Sequence, residues 1–262
     1  MPIESIRGLL EVELLADVAR ICLTRPEKRN ALSDDLVLAL REAFESLPDS
    51  VRAVVLQGRG DHFSAGLDLS ELAERNAAEG MMHSRGWHAV FERIQFGKVP
   101  VIAVLHGAVV GGGLELACAA HIRVAEESAF FALPEGTRGL FVGGGGSVRI
   151  PRLIGVARMS DMMLTGRVYR AEEGERVGFA QYLVGAGESL TKAVELAHKI
   201  AGNAAMTNFA VMHALPRIAD QPMQEGFLLE SMMAAIAQSD EQAKLRMRDF
   251  LENKAGRVRK GD

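Results

Sequence analysis

Apolar positions along this chain recur in two rhythms. Short runs dense in Val, Ile and Leu alternate with longer stretches in which apolar residues return at helical spacing. Leu9–Leu14 and Val18–Thr24 are runs of the first kind, and they flank Ala16-Asp17 as the arms of a hairpin. Ser33, with Asp34 and Asp35 after it, reads as the N-cap of a helix running to about Leu47, where Pro48 ends it. Arg52–Gln57, Val101–Leu105, Ile122–Ala125 and Ala129–Ala132 are further buried strands. Strands separated by such helical stretches predict an α/β fold with crossover connections.

The last third changes character. Leu190, Ala193, Val194, Ala197 and Ile200 fall on one helix face, and Gly202 closes that segment. Ser239, with Gln242 three residues on, predicts a capping box for a final helix through about Asn253. Met206, Met212, Met223, Met232 and Met233 gather here. The expected organisation is a core over residues 1–190 and a helical region over 191–262. Val99–Ala120 is the most apolar stretch, with His106 and Glu115 as its only strongly polar side chains. Pro100 at its start and Gly111-Gly112-Gly113 in its middle make it a strand, a glycine turn and a buried helix, not a membrane span.

Composition narrows the functional classes. The 262 residues allow one large domain or two modest ones. With 48% apolar and 24% charged residues, the chain reads as globular and not disordered. Thirty basic against 34 acidic residues leave a net charge of −4, and without a basic block nucleic acid is a poor partner. Two cysteines, Cys22 and Cys118, make neither a disulfide framework nor a zinc cluster, and the histidines lack metal-ligand spacing. Met1–Gly8 lacks the basic start and apolar run of a signal peptide, so a cytoplasmic protein with reduced thiols is expected.

The clustered glycines mark the candidate chemistry. Glu115 is the one charge on an otherwise apolar helix, with no Lys or Arg within a turn. An unpaired buried carboxylate costs several kcal/mol, or takes up a proton, so Glu115 is a functional candidate unless it faces solvent or a distant Arg. Gly111-Gly112-Gly113 places the N-terminus of that helix against an apolar strand. Such a turn serves either an oxyanion or phosphate, or close helix–strand packing. No Lys-Ser or Lys-Thr follows it, which excludes a P-loop, and neither a dinucleotide fingerprint nor a Gly-x-Ser-x-Gly elbow is present. His62–Leu69 is a second small-residue loop, and Glu135 closes the apolar run Phe131–Pro134 ahead of Gly143–Gly146.

In their order and spacing these elements resemble the crotonase (enoyl-CoA hydratase/isomerase) superfamily. The resemblance begins at Arg25-Pro26 and Asn30-Ala31-Leu32. It continues through Phe63-Ser64-Ala65-Gly66-Leu67-Asp68 and Gly107 to Leu116, and ends with Pro134-Glu135, Gly139 and the glycines before Arg149. It implies a spiral of ββα turns followed by a C-terminal helical trimerisation region, assembled as a homotrimer or a dimer of trimers. It further implies an enoyl-CoA hydratase, with isomerisation, C–C cleavage and thioester hydrolysis as alternative reactions and a non-catalytic CoA-binding protein as the rival outside catalysis. The oxyanion donors would be the backbone N–H groups of Leu67 and Gly112. Glu115 would activate water and Glu135 protonate C2, both holding the water. Arg25, Lys28, Ala65, Gly66, Asp68 and Leu69 would bind the CoA portion, with Gly143 beside the site. Arg25 and Lys28 would be either phosphate partners or a solvated charged loop. Trp87 would be either an acyl contact or core packing. Phe250 on the final helix would reach a neighbouring subunit's site, whereas Asn253 stands where the family places a Lys, with Lys254 a residue later. The resemblance implies no metal and no cofactor beyond the CoA carried by the substrate.

Overall fold

The computed structural model describes residues 4–71 and 74–252. Strands β1 (Glu4–Ile6), β2 (Leu10–Leu15) and β3 (Val18–Leu23) form an antiparallel meander, with the expected hairpin turn at Ala16-Asp17. Helix α1 (Asp34–Glu45) leads to β4 (Ala53–Gly58), and α2 (Ala77–Gln95) to β5 (Val101–Leu105). Then come β6 (Ala108–Val110), α3 (Gly112–Ala119), β7 (Ile122–Glu126) and β8 (Phe130–Ala132). After them lie α4 (Gly146–Ile154), α5 (Val156–Thr165), β9 (Tyr169–Arg170), α6 (Ala171–Val177), β10 (Tyr182–Val184) and α7 (Ser189–Ala201). The larger sheet has the order β1-β2-β3-β4-β5-β7-β10 and is parallel from β3 onward; β6, β8 and β9 form a smaller one.

Each turn of the chain repeats one step. β5 lies in the large sheet, β6 in the small sheet, and α3 follows; β7, β8 and α4 repeat the move, with β6 and β8 parallel neighbours. Earlier turns make the same step with less regular backbone, since Ser64 bridges Val109 and Leu32 bridges Leu67, both in parallel. The segments leading into successive helices therefore stack on one another, which is the ββα spiral the sequence resemblance implied.

Local chemistry explains the element ends. The Ser33 hydroxyl accepts the Leu36 N–H at 3.1 Å, the cap expected for α1. β4 is buried on both faces: Val54 and Leu56 enter the main core with α1, α2 and α3, while Ala53 and Val55 face a second cluster. That second cluster holds Ala193, Leu196, Ala197 and Ala201 of α7 against Val18, Ile102, Val104 and Val124. The periodic face of α7 thus covers the sheet, so the compact units divide at Ala201/Gly202 and not at 190/191. Taking apolar area from water is worth about 25 cal/mol per Å2, which makes α7 part of the first unit's core.

The second unit contains α8 (Ala205–Phe209), a π-helical turn over Ala210–Ala214, α9 (Leu215–Ala219), α10 (Met223–Ser239) and α11 (Glu241–Leu251). Met212 is buried there, whereas Met223 and Met232 are exposed beside Phe227, Leu228 and Ile236. The cap of α11 is Asp240, not Ser239. α10 continues through Ser239, whose hydroxyl donates back to the Ile236 carbonyl, while the Asp240 carboxylate accepts the Gln242 and Ala243 N–H groups. Asn253 and Lys254 lie outside the described residues.

Candidate active site

The spiral brings three of its steps together around one cleft of about 920 Å3, lined entirely by the first unit. Leu67 comes from the loop before α2, Gly112 and Glu115 from the start of α3, and Glu135 from the loop after β8. Gly111 opens α3 with φ 52°, a left-handed value that glycine reaches without a Cβ clash. A Cβ there would lie 2.6 Å from Glu135 Oε1, so the glycine also admits that carboxyl. Gly66, with φ 91°, lets the 66–67 backbone pass close to Val110 and Gly112; a Cβ would stand 2.6 Å from the Val110 carbonyl oxygen.

This close approach brings two peptide N–H groups side by side. The Gly112 α-carbon is packed near the Leu67 nitrogen, since a Cβ on Gly112 would lie 3.6 Å from it. Neither the Leu67 nor the Gly112 N–H is donated to a protein acceptor among the described residues. Gly112 is also the first residue of α3, where the helix dipole favours negative charge. Two such donors can hold an oxygen that gains charge during a reaction.

Glu115 is 3% exposed and α3 is buried along its whole length. Its carboxylate is met by backbone: the N–H groups of Gly144 and Gly146 donate to Oε1 at 2.8 and 2.7 Å. Burial pushes the carboxyl above its ordinary value, and the N–H groups of Gly146, Gly144 and Gly143 oppose that rise. Because Oε1 is committed as an acceptor, a proton on Glu115 must sit on Oε2. Arg149 supports the loop from behind, donating to the Gly144 carbonyl at 3.0 Å and to Gln95 Oε1 at 2.7 Å.

Glu135 has a different setting. Its Oε2 is buried without a hydrogen-bond partner among the described residues. Desolvation, with a smaller push from the Glu115 charge, raises its pKa to about 7, against the pull of its own backbone N–H and, more weakly, of Arg138. The two carboxyls of the cleft thus differ in their partners: Glu115 is anchored by backbone N–H groups, Glu135 Oε2 has no partner among the described residues, and burial raises both.

The remaining expected residues sort by position. Lys28, Ala65, Gly66, Leu69 and Gly143 line the cleft, as does Asp68, whose carboxylate is 5% exposed overall and turned to Arg25. Arg25 is the exception among the CoA candidates. It does not line the cleft, because its guanidinium is held by Asp68 Oδ2 at 2.7 Å and the Ala31 carbonyl at 2.8 Å. Trp87 is both packed and on the cleft: its Nε1–H donates to Asp34 Oδ1 at 2.9 Å, and its ring lies between His83 and Phe91 with an edge against Gly112. Phe250, expected to reach a neighbouring subunit's site, is exposed on α11 of the second unit. Sequence reasoning passed over Arg29, Arg75 and Arg138, which also line the cleft, and Ser84, whose hydroxyl donates to the Gly143 carbonyl at 2.6 Å. The signal was available for Arg29 next to Lys28 and for Arg138 three residues after Glu135. No group of three or more His, Cys, Asp or Glu side chains is arranged for a metal among the described residues, and no described helix is long and apolar enough to cross a membrane.

Comparison with known proteins identifies the family. Residues 13–258 match the family described as enoyl-CoA hydratase/isomerase, and the chain belongs to that family within the crotonase superfamily. It is 32% identical to a short-chain-enoyl-CoA hydratase of Clostridium acetobutylicum over 240 residues, covering 90% of this chain and 92% of that one. It is 36% identical to a carnitinyl-CoA dehydratase of Salmonella enteritidis over 213 residues, 80% of this chain and 81% of the other. A crystal structure from Rhodopseudomonas palustris, provisionally named as an enoyl-CoA hydratase, superposes with a TM-score of 0.92 at 62% identity, covering 94% of this chain and 96% of that one.

Because the folded protein holds the Glu135 proton up to about pH 7, ionising this group costs folding free energy. Stability is lost as pH rises from the unfolded value of 4.5 through 7. Glu135→Gln removes that term, so it should gain about 3 kcal/mol relative to the parent on going from pH 4.5 to pH 8. Paired denaturant titrations at the two pH values measure the gain; an unchanged difference would place the Glu135 carboxyl in a water-like environment.

Proposed function

We propose that the chain is an enoyl-CoA hydratase, adding water across the 2,3 double bond of a 2-enoyl-CoA thioester to give the 3-hydroxyacyl-CoA. The observation that carries this reading is the pair of buried carboxyls, Glu115 and Glu135, in the cleft that also holds the Leu67 and Gly112 N–H groups. The names of the Clostridium and Salmonella relatives support the same reaction class.

In this mechanism the thioester oxygen lies on the two N–H groups. Glu115 takes a proton from water as the water oxygen bonds to C3, and the π electrons move onto the thioester oxygen as enolate charge. Each donor in such a site is worth roughly 2.7–4 kcal/mol. When the enolate collapses, C2 takes the proton of Glu135, and proton return from Glu115 resets the pair. The N–H donors on Glu115 favour its ionised form, which suits the base, and Glu135, raised to about 7, suits the acid. Lys28 and Arg29, exposed at the cleft edge, would meet the CoA phosphates, with no cofactor besides the CoA of the substrate.

The test is absorbance loss of the conjugated thioester with crotonyl-CoA and with longer, branched and aromatic enoyl-CoAs. The parent should hydrate at least one, with product mass increased by one water. Glu115→Gln and Glu135→Gln should each lose at least about 10²-fold. A product of unchanged mass would make the chain an isomerase, free CoA a thioester hydrolase, and a shortened acyl-CoA a C–C lyase.

We further infer assembly as a homotrimer or dimer of trimers through the second unit. Phe227, Leu228, Met232 and Ile236 on α10, with Leu245 and Leu251 on α11, are exposed in the single chain, which is more apolar surface than monomers usually present to water. Light scattering should return three or six chains per particle, and a monomer mass would overturn this.

A further inference from the structure

We propose that Arg25 and Asp68 form an internal brace that fixes the Leu67 N–H in its working orientation, making Arg25 a positioning residue and not a ligand of the CoA phosphates. The inference rests on the hydratase reading, in which that N–H holds the thioester oxygen. It starts from the hydrogen bonds on either side of Leu67. The Asp68 N–H donates to the Leu32 carbonyl at 2.9 Å, and the Leu32 N–H donates to the Gly66 carbonyl at 2.7 Å. Leu67 is therefore strapped between two backbone bonds to one residue, with its own N–H left to the cleft.

What holds the strap is Arg25. Its guanidinium spans Asp68 Oδ2 and the Ala31 carbonyl, so it ties the residue after Leu67 to the residue before Leu32. The Asp68 carboxylate is further fixed by the Ser70 N–H at 3.1 Å and hydroxyl at 2.6 Å. The other end of the loop is tied to the same segment. The Asn30 side chain, wholly buried, accepts the Arg25 N–H at 3.0 Å and donates to the carbonyls of Arg59 and His62 at 2.9 and 2.7 Å. The Ser64 hydroxyl donates to the Asn30 carbonyl, and the Ala65 N–H to that of Arg29. Residues 25–32 and 59–70 are thus one hydrogen-bonded body whose product is the position of a single N–H.

Two physical facts make this a brace and not incidental packing. A forked guanidinium with two fixed acceptors sets direction as well as distance, and Lys cannot reproduce the fork. Misplacing a catalytic group by about 1 Å costs on the order of 10²-fold in rate, so a donor on a loop needs such support. The cations that face the cleft, Lys28, Arg29, Arg75 and Arg138, stay in place when Arg25 is changed.

The experiment compares Arg25→Lys, Arg25→Met, Asp68→Asn and the double variant Arg25→Met/Asp68→Asn with the parent. Steady-state hydration, free-CoA affinity by calorimetry and amide exchange over residues 64–70 are measured. The brace predicts a fall in kcat of about 10- to 100-fold with KM and CoA affinity within about twofold, and faster exchange in that segment. The double variant should be no worse than the worse single one, because the two act as a unit. Arg25→Lys, which keeps the charge and loses the fork, should be intermediate, and it serves if Arg25→Met does not fold. A tenfold rise in KM with loss of CoA affinity and retained kcat would make Arg25 a phosphate ligand. Unchanged exchange together with unchanged kcat would equally overturn the brace. Should the parent hydrate no enoyl-CoA, the hydratase reading fails by itself, and the exchange comparison still decides whether the pair holds the loop.

Discussion

A carboxylate inside an apolar helix has to be met by donors, and this requirement organises the site. Glu115 sits where no cation reaches it within its own helix, and leaving it bare would cost several kcal/mol. Backbone N–H groups meet the demand, and only a glycine loop lets them come close enough. A Cβ on Gly146 would lie 2.8 Å from the Glu115 side chain, and one on Gly144 would lie 2.9 Å from the Phe91 ring. The glycine run at 143–146 is thus the counterpart of a single acidic residue far back in the chain. Arg149, behind the loop, holds the Gly144 carbonyl and keeps those donors aimed.

The spiral supplies the rest through repetition. Each turn delivers an extended segment and then a helix, so equivalent positions of successive turns stack. Leu67, Gly112 and Glu135 are such positions. The fold thereby sets donors and acids side by side from segments separated by tens of residues, and glycine at 66 and 111 allows the final close approach. The arrangement works against stability: the Glu135 proton and an Oε2 without a partner among the described residues both reflect burial that a purely structural core would avoid.

Features set by neighbours in the chain were legible. The Ser33 cap, the hairpin at Ala16-Asp17 and the strand–turn–helix at 99–120 depend on local pattern, and the structure has each. Glu115 stood out because a lone charge on an apolar helix breaks its surroundings. Its solution did not stand out, since the Gly144 donor lies 29 residues away. The α7 periodicity showed a buried face without showing which surface it covers, and that placed the boundary too early. Local pattern puts the last cap at Ser239; α10 continues through that residue, and Asp240 caps α11 instead. The resemblance made Arg25 either a phosphate partner or part of a solvated charged loop; its partner Asp68 is 43 residues on, and only the fold joins them.

Glu135, with its Oε2 buried and without a hydrogen-bond partner among the described residues, keeps its proton up to about pH 7. Infrared difference spectroscopy of the carboxyl C=O stretch from pH 5 to pH 9 tests this in the intact protein. A protonated-carboxyl band that disappears around pH 7 in the parent and is missing from Glu135→Gln is the predicted result. A parent protein with no such band above pH 6, or one whose band survives unchanged in Glu135→Gln, would contradict it.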